Sequence, residues 1–333
     1  MLKGGSIAAI IIITGMIPVI TQQPYLLHLA ITVAVFSIVS LGVRLLLSVG
    51  QWTFGQAAFM TLGSYASAML TGYLGWSFWA ALPVAGIIAA GIGAVFGYPA
   101  LRLKGSYFAI VTLILNIVVR QFILVTPEFS GGSSGFHLEI LPPDPIPLPF
   151  TESEITFSGK SSYYYLIWLL GLAAVGFCYW VDHSRFGASL RAIRQSDSLA
   201  QSVGINIAVY KLIAFVVACF FAGLAGSFYT HYLILANPDA FSMWDSIFVV
   251  AYVVIGGMGS VLGPIIGTVL LVGGFELLRE LSVYQTVGYA LILLLVTRFL
   301  PGGLISLGNL IPEHFSNFTD RDKQETSRKS KLR

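Results

Sequence analysis

Charge is what this sequence most lacks. Only 10% of its 333 residues are charged, against 56% hydrophobic residues and a mean hydropathy of +0.83, whereas a soluble globular domain carries roughly 25% charged residues. A soluble globular protein is excluded, and the composition implies an all-α polytopic membrane protein. Cysteine is nearly absent: Cys178 and Cys219 both fall inside apolar runs, so they read as small core residues and imply no disulfide or metal site. His28, His137, His183, His231 and His314 are scattered, and no H-x-x-x-H, C-x-x-C or nucleophile-elbow pattern occurs, so neither a metal centre nor a catalytic residue is expected. Walker A is missing as well. Gly159-Lys160-Ser161 resembles the end of a P-loop, but Glu154 stands where its first glycine belongs. Any ATP hydrolysis must come from another chain. The apolar runs lack the Asp, Glu and His chain of a proton relay, which favours coupling to an external motor over secondary transport.

What is present is a series of apolar runs. A helix needs roughly 20 residues to cross about 30 Å of hydrocarbon, and ten runs are candidates: Gly5 to Ile20, Tyr25 to Val43, Gln56 to Tyr73, Phe78 to Phe96, Ser106 to Val125, Tyr163 to Val181, Leu212 to Leu233, Trp244 to Ile255, Leu262 to Leu278 and Gln285 to Leu300. The eighth is too short to span alone. No A-x-A cleavage site follows the first, so an uncleaved span is expected there. With both termini inside, all but Arg120, Lys160 and Arg279 of the 18 basic residues fall on the inner side or its border, as the positive-inside bias requires. The formal charge of +3 thus reports topology in a lipid bilayer and not nucleic-acid binding. Residues 1–315 form the membrane domain, and 316–333 form a basic tail without apolar periodicity, expected to be disordered at the inner surface.

Two connections stand out. The stretch of about 127–162 holds six of the 14 prolines and Glu128, Glu139, Asp144, Glu152 and Glu154 against Lys160 alone. It is expected outside, extended and turn-rich. The stretch of about 183–211 is the longest charged island, with Arg185, Arg191 and Arg194 leading it and Lys211 closing it. Within it Ser196 suits an N-cap, Leu199, Ala200 and Val203 form a short apolar stripe, and Gly204 suits a left-handed C-cap, which predicts one short helix outside the bilayer.

Two glycine-rich stretches interrupt the apolar pattern, GQWTFGQAAF at Gly50 to Phe59 and GGMGSVLGP at Gly256 to Pro264. Such interruptions point to discontinuous helices beside a transport pathway. Gln51, Trp52, Thr53 and Gln56 are the pathway candidates of the first, and Gly256, Gly257, Gly259 and Pro264 mark the helix break of the second. The alternative is tight helix packing, for which Gly93/Gly97, Ala222/Gly226 and Gly263/Gly267 have the small-xxx-small spacing. Arg120, with Asn116 one turn earlier on the same face, is a further pathway candidate or a residue reaching the outer headgroups. Glu276 and Arg279 read as an interfacial pair.

Five blocks in order carry a resemblance: GQWTFGQAAFMTLGSYASAML at Gly50 to Leu70, PALRLKGSYFAIVTL at Pro99 to Leu113, SGGSSGF at Ser130 to Phe136, RAIRQSDSLAQSVGINIAVYKLIAF at Arg191 to Phe215, and VVIGGMGSVLGPIIG at Val253 to Gly267. Over nearly its whole membrane part the chain resembles the M-type permease of the ABC importers for branched-chain amino acids, a family that also includes urea, amide and aromatic-acid importers. The resemblance implies the ten-helix type II-like importer fold with broken helices, shared with sugar permeases of the ribose group. It also implies a heterodimer with an H-type permease subunit, two cytoplasmic ATPase subunits that carry the ATP and Mg, and a substrate-binding protein at the outer face. Arg185, Arg191, Arg194, Ser196, Leu199, Val203 and Gly204 then fall in the segment that docks on the ATPase. The sequence departs from the family where many relatives carry Gly-Glu at Leu115 and Asn116, a basic residue at Gly302 and Asn at Ser134. The expected solute is a small polar one, foremost an amino acid. A stand-alone channel or facilitator, and an importer of urea or aromatic acids, remain the alternatives.

Overall fold

In lipid, a backbone can satisfy its own hydrogen bonds only as a helix or a closed barrel, and the second to ninth apolar runs fold as helices. The computed structural model describes residues 14–136 apart from 22 and 104, residues 159–277, and positions 143, 146, 147, 154, 155, 287, 294, 298, 303 and 304. Among the described residues the helices of six residues or more are, in chain order, α1 (Pro24–Leu47), α2 (Gln56–Gly72), α3 (Phe78–Ala100), α4 (Ser106–Val125), α5 (Lys160–His183), α6 (Arg185–Gln195), α7 (Asp197–Ser202), α8 (Ile207–Leu233), α9 (Met243–Gly256) and α10 (Leu262–Leu277). Of these α1, α3, α4, α5 and α8 have the length and hydropathy of a membrane span. At 14 residues α9 extends only about 21 Å, at 1.5 Å per residue, and falls short of the hydrocarbon thickness, as its sequence implied.

Several expectations lie outside the described residues: most of the first run and of the tenth, the tail, Lys104, Arg279, His137 and His314. The described parts of 127–162 are a helical turn at Pro127–Ser130, a 3-10 turn at Gly132–Ser134, and an antiparallel pairing of β1 (Ile146–Pro147) with β2 (Glu154–Ile155). The seventh run is longer than its apolar core suggested, because Asn206 caps α8 at Val209 and starts the helix at Ile207. The fourth likewise continues through Pro99 to Ala100.

Residues 1–250 and 251–333 form two compact units. In the first, α8 is the axis on which α1, α2 and α3 pack. The approach is close enough that side chains are excluded at the crossings. A Cβ on Gly42 of α1 would lie 3.0 Å from Ala218 Cα, and one on Gly93 of α3 would lie 2.7 Å from Cys219 Sγ. Gly63 of α2 lies against the Gly223 carbonyl and Gly226 of α8 against the Met60 carbonyl. Without a hydrophobic drive between helices in lipid, such contacts and polar pairs hold them together. The polar pairs here are Ser64 with Thr230, and Ser67 with His231 Nε2 at 2.9 Å. Around Phe215 the rings of Phe59 and Phe108 pack edge-on at 5.5 and 5.6 Å. The outward faces of α3 and α4 stay apolar, with Ile87, Val95, Ile117 and Phe122 exposed, as lipid or a partner helix requires.

In the second unit, the end of α9 from Ala251 and α10 form a hairpin across Gly257, whose φ of +112° only glycine adopts readily. Gly256 lies against the Gly263 carbonyl and Gly267 against the Tyr252 carbonyl.

The crossing at Gly226 makes a testable demand. Gly226→Val drives a side chain into the Met60 backbone and is expected to destabilise the protein by about 1–3 kcal/mol, as overpacking does. Gly91→Val, at a site with no atom within 4 Å of an added Cβ, should leave thermal unfolding in detergent unchanged.

Candidate functional site

The chain breaks its helical pattern between α1 and α2. Two short hydrogen-bonded turns end α1, with Ser48 N–H donating to Arg44 O at 2.9 Å and Gly50 N–H to Leu47 O at 3.1 Å. Gly50 then takes a φ of +74°, and residues 51–55 run without helix until α2 starts at Gln56. The first amides of a helix have no intrahelical partner, and here other helices supply them. Ala57 N–H donates to Ser246 Oγ of α9 at 2.8 Å, and Ala58 N–H donates to Asn116 Oδ1 of α4 at 2.9 Å. The Ser246 hydroxyl reaches the same Asn116 oxygen at 3.2 Å. Asn116 Nδ2 donates back to the Phe54 carbonyl at 2.6 Å, while Phe54 N–H donates to Thr112 Oγ1 at 3.1 Å. A Cβ on Gly55 would meet the Thr112 carbonyl at 2.9 Å, so glycine is what lets α4 come this near.

Of the expected pathway residues, Gln51, Thr53, Gln56 and Asn116 are all buried around this break, and Trp52 is half-exposed. Gln56 is fully buried, yet among the described residues neither its Oε1 nor its Nε2 has a hydrogen-bond partner. Arg120 does not join them. Its Nε binds Asp239 Oδ1 at 2.7 Å in a pair that is 49% and 58% exposed. Thr112 and Ser246, which complete the break, were not singled out in sequence because hydroxyls in apolar helices usually bond to their own backbone.

The 183–211 connection contains two helices where one was expected. Ser184 caps α6 by accepting Gly187 N–H at 3.3 Å, and Leu190 and Ile193 bury its apolar face. The shorter α7 has the anticipated ends. Ser196 Oγ accepts Leu199 N–H at 3.4 Å. At the other end Ile205 N–H bonds Ala200 O at 3.1 Å and Gly204 N–H bonds Gln201 O at 3.0 Å, with Gly204 at φ +84°, a Schellman ending. The apolar stripe is split: Ala200 is buried, whereas Leu199 and Val203 are 70% and 75% exposed. Arg185 and Arg194 lie at the two ends of α6, and Arg191 Nη1 donates to the Asp182 carbonyl at 3.0 Å. Lys211 Nζ holds Asp197 Oδ2 at 2.8 Å.

A cavity of about 680 Å³ lies between the end of α3, α7 and the start of α8, lined among others by Arg102, Asp197, Gln201, Lys211 and Gln51. It therefore joins the exposed connection to the first residue of the break. At the second interruption, Gly256 ends α9, Gly257 and Gly259 form the turn, and Pro264 sits in the first turn of α10, where its missing N–H is not needed. The geometry there is close packing of a helical hairpin. Among the described residues no three His, Cys, Asp or Glu side chains are grouped as for a metal ion.

Comparison with known proteins places this architecture. Residues 25–300 match the family model described as branched-chain amino acid transport system / permease component. The chain is 32% identical over 290 residues to the high-affinity branched-chain amino acid transport system permease protein LivM of Salmonella typhimurium (strain LT2), covering 82% of this chain and 68% of that one. It is 31% identical over the same shares to LivM of Escherichia coli (strain K12). The ribose import permease protein RbsC of E. coli K12 is 27% identical over 221 residues, 62% of this chain and 64% of that one. No solved structure matches. The family match covers the break, the capped connection and every described span alike, so the chain belongs to the family of branched-chain amino acid transport system permease components and is a multi-pass membrane permease, not an enzyme.

Proposed function

We propose that this permease is one of two membrane subunits of an ATP-driven importer of branched-chain amino acids. The observation that carries the reading is the match to two LivM permeases over 82% of the chain. The second permease would be an H-type subunit; the chain is also 24% identical over 219 residues to a probable LivH permease of Methanocaldococcus jannaschii. Two ATPase subunits, holding ATP and Mg, would dock at the 183–211 connection, and a binding protein would deliver solute at the opposite face. Charge bias supports this orientation, with both termini and the basic tail at the cytoplasmic face of the bacterial inner membrane.

In this reading α7 is the element grasped by the ATPase. Both of its ends are capped, so it keeps its shape, and Leu199 and Val203 offer apolar anchors that are 70% and 75% exposed among the described residues. Arg185, Arg191 and Arg194 add a basic rim. The solute passes the break at Gln51 to Gln56. There the unpaired Gln56 amide is a polar group that a solute can use, since a buried amide without a partner is destabilising by about 1–3 kcal/mol. ATP binding and hydrolysis on the partners would shift the docking helices and alternate the opening of the break between faces. A stand-alone facilitator would need no exposed capped helix of this kind.

Leu199→Glu combined with Val203→Glu is expected to lower ATPase co-purification at least about tenfold, the effect of one lost anchor, without changing thermal unfolding of the permease. Retained ATPase would sink the docking assignment. For the pathway, cysteines at Gln51, Trp52, Thr53 and Gln56 should react with small polar thiol reagents in at least one nucleotide state, and their protection in all of them would refute it. In proteoliposomes with the full set of partners, uptake of leucine, isoleucine and valine delivered by the binding protein is expected to exceed that of urea or aromatic acids. The reverse preference would move the substrate to another branch of the family.

A further inference from the structure

We propose that Arg44 and Asp182 form a strut that transmits movement of the docking helices to the break at Gly50 to Gly55, which makes both positioning residues for coupled transport. The inference rests on the docking reading above.

The pair joins elements 138 residues apart in sequence, the last turn of α1 and the last turn of α5. It is a two-pronged contact, with Arg44 Nη2 on Asp182 Oδ2 at 2.6 Å and Nη1 on Oδ1 at 3.3 Å. The side chains are 4% and 22% exposed, so solvent screens them little, and a planar guanidinium against a carboxylate fixes direction as well as distance. Truncating one partner of such a buried pair strands the other charge, so a pair of this kind holds firmly in one geometry.

Both ends are fastened to functional parts. On the α5 side, Asp182 is followed directly by the corner to α6. Its carbonyl accepts Arg191 Nη1, the Ser184 hydroxyl donates to Val181 O at 2.7 Å, and a Cβ on Gly187 would lie 3.0 Å from Asp182 Cα. The corner has no slack. On the α1 side, the Arg44 carbonyl accepts both the N–H and the hydroxyl of Ser48 at 2.9 Å. Hydrogen-bonded turns then continue to Gln51, whose N–H donates to Leu46 O at 3.3 Å. Six residues of bonded chain thus separate Arg44 from Gln51 in the break. The other ion pair of the connection, Lys211 with Asp197, is 53% exposed on its acidic side and ties α7 only to α8. It does not reach α1.

The test uses the full complex in proteoliposomes with its partner subunits, binding protein and leucine. In Asp182→Asn, ATPase content and ATP hydrolysis should persist while leucine uptake per ATP falls about tenfold, the equivalent of one charge-assisted hydrogen bond. Asp182→Glu should recover part of the ratio, and Arg44→Lys, which keeps the charge but loses the fork, should fall between. A folded Asp182→Asn protein with an unchanged ratio overturns the strut, as does a loss confined to thermal stability. Spin labels on Leu199→Cys and Trp52→Cys test it with the pair intact. The strut requires one inter-label distance that persists with and without ATP, and a distance that changes with nucleotide overturns it. Failure of the docking reading is seen separately, as ATPase retained by the Leu199 and Val203 double variant.

Discussion

A helix that begins inside an apolar bundle must find partners for its first amides without water, and the region around Gln56 is arranged by that constraint. Asn116 meets it because a carboxamide both accepts and donates. Its oxygen receives Ala58 N–H and the Ser246 hydroxyl while its nitrogen binds the Phe54 carbonyl, so one side chain of α4 closes both sides of the break. A glutamate at this position could accept the same two donors, but an ionised carboxylate has no proton to give Phe54. Asn116 therefore closes both sides of the break without a buried charge.

The remainder of the first unit is built to resist deformation. The crossings of α8 with α1, α2 and α3 bring backbone against backbone or against Cys219, and interiors packed this closely have few intermediate arrangements. Ser64 with Thr230 and Ser67 with His231 add directional bonds to the α2–α8 seam. Motion then has to enter where regular structure stops. Residues 52–55 of the break and the turn between α6 and α7 are two of those places in this unit, and the 680 Å³ cavity lies beside them through Gln51 and Asp197.

How much of this could be read from the sequence depended on the range of the interaction. Ser196 and Gly204 follow local capping rules, and α7 has the ends those rules imply. The break at Gly50 was legible because glycine and polar residues interrupt an apolar run. By contrast α6 was hidden, since its buried face rests on Gly187, Leu190 and Ile193 among charged neighbours, a pattern that suits a solvated loop equally well. The direction of Leu199 and Val203 could not be deduced, because a three-residue stripe has the same periodicity whether it faces the bundle or a partner. Thr112, Ser246 and Asp182 gave no signal of their own. Each matters through a residue dozens of positions or more away, and single-sequence patterns do not carry tertiary pairing.

The placement of the ion pairs separates two uses of charge in a chain that has little of it. Arg120 and Asp239 meet with roughly half of each side chain exposed, where solvent weakens attraction and pairs typically contribute about 0–1 kcal/mol. Such a pair can form and release at small cost and suits a surface that meets a partner. Arg44 is buried and Asp182 only 22% exposed, so separation would leave the guanidinium out of reach of solvent. Stability alone does not require that arrangement, because a well-packed apolar pair of similar volume would serve as well or better. What an apolar contact lacks is direction: two greasy surfaces slide over one another, whereas a fork on a carboxylate keeps its register as the helices move. A directional contact at the junction of α1, α5 and α6 fits a place where displacement is passed on, and its burial keeps the register independent of the ions outside.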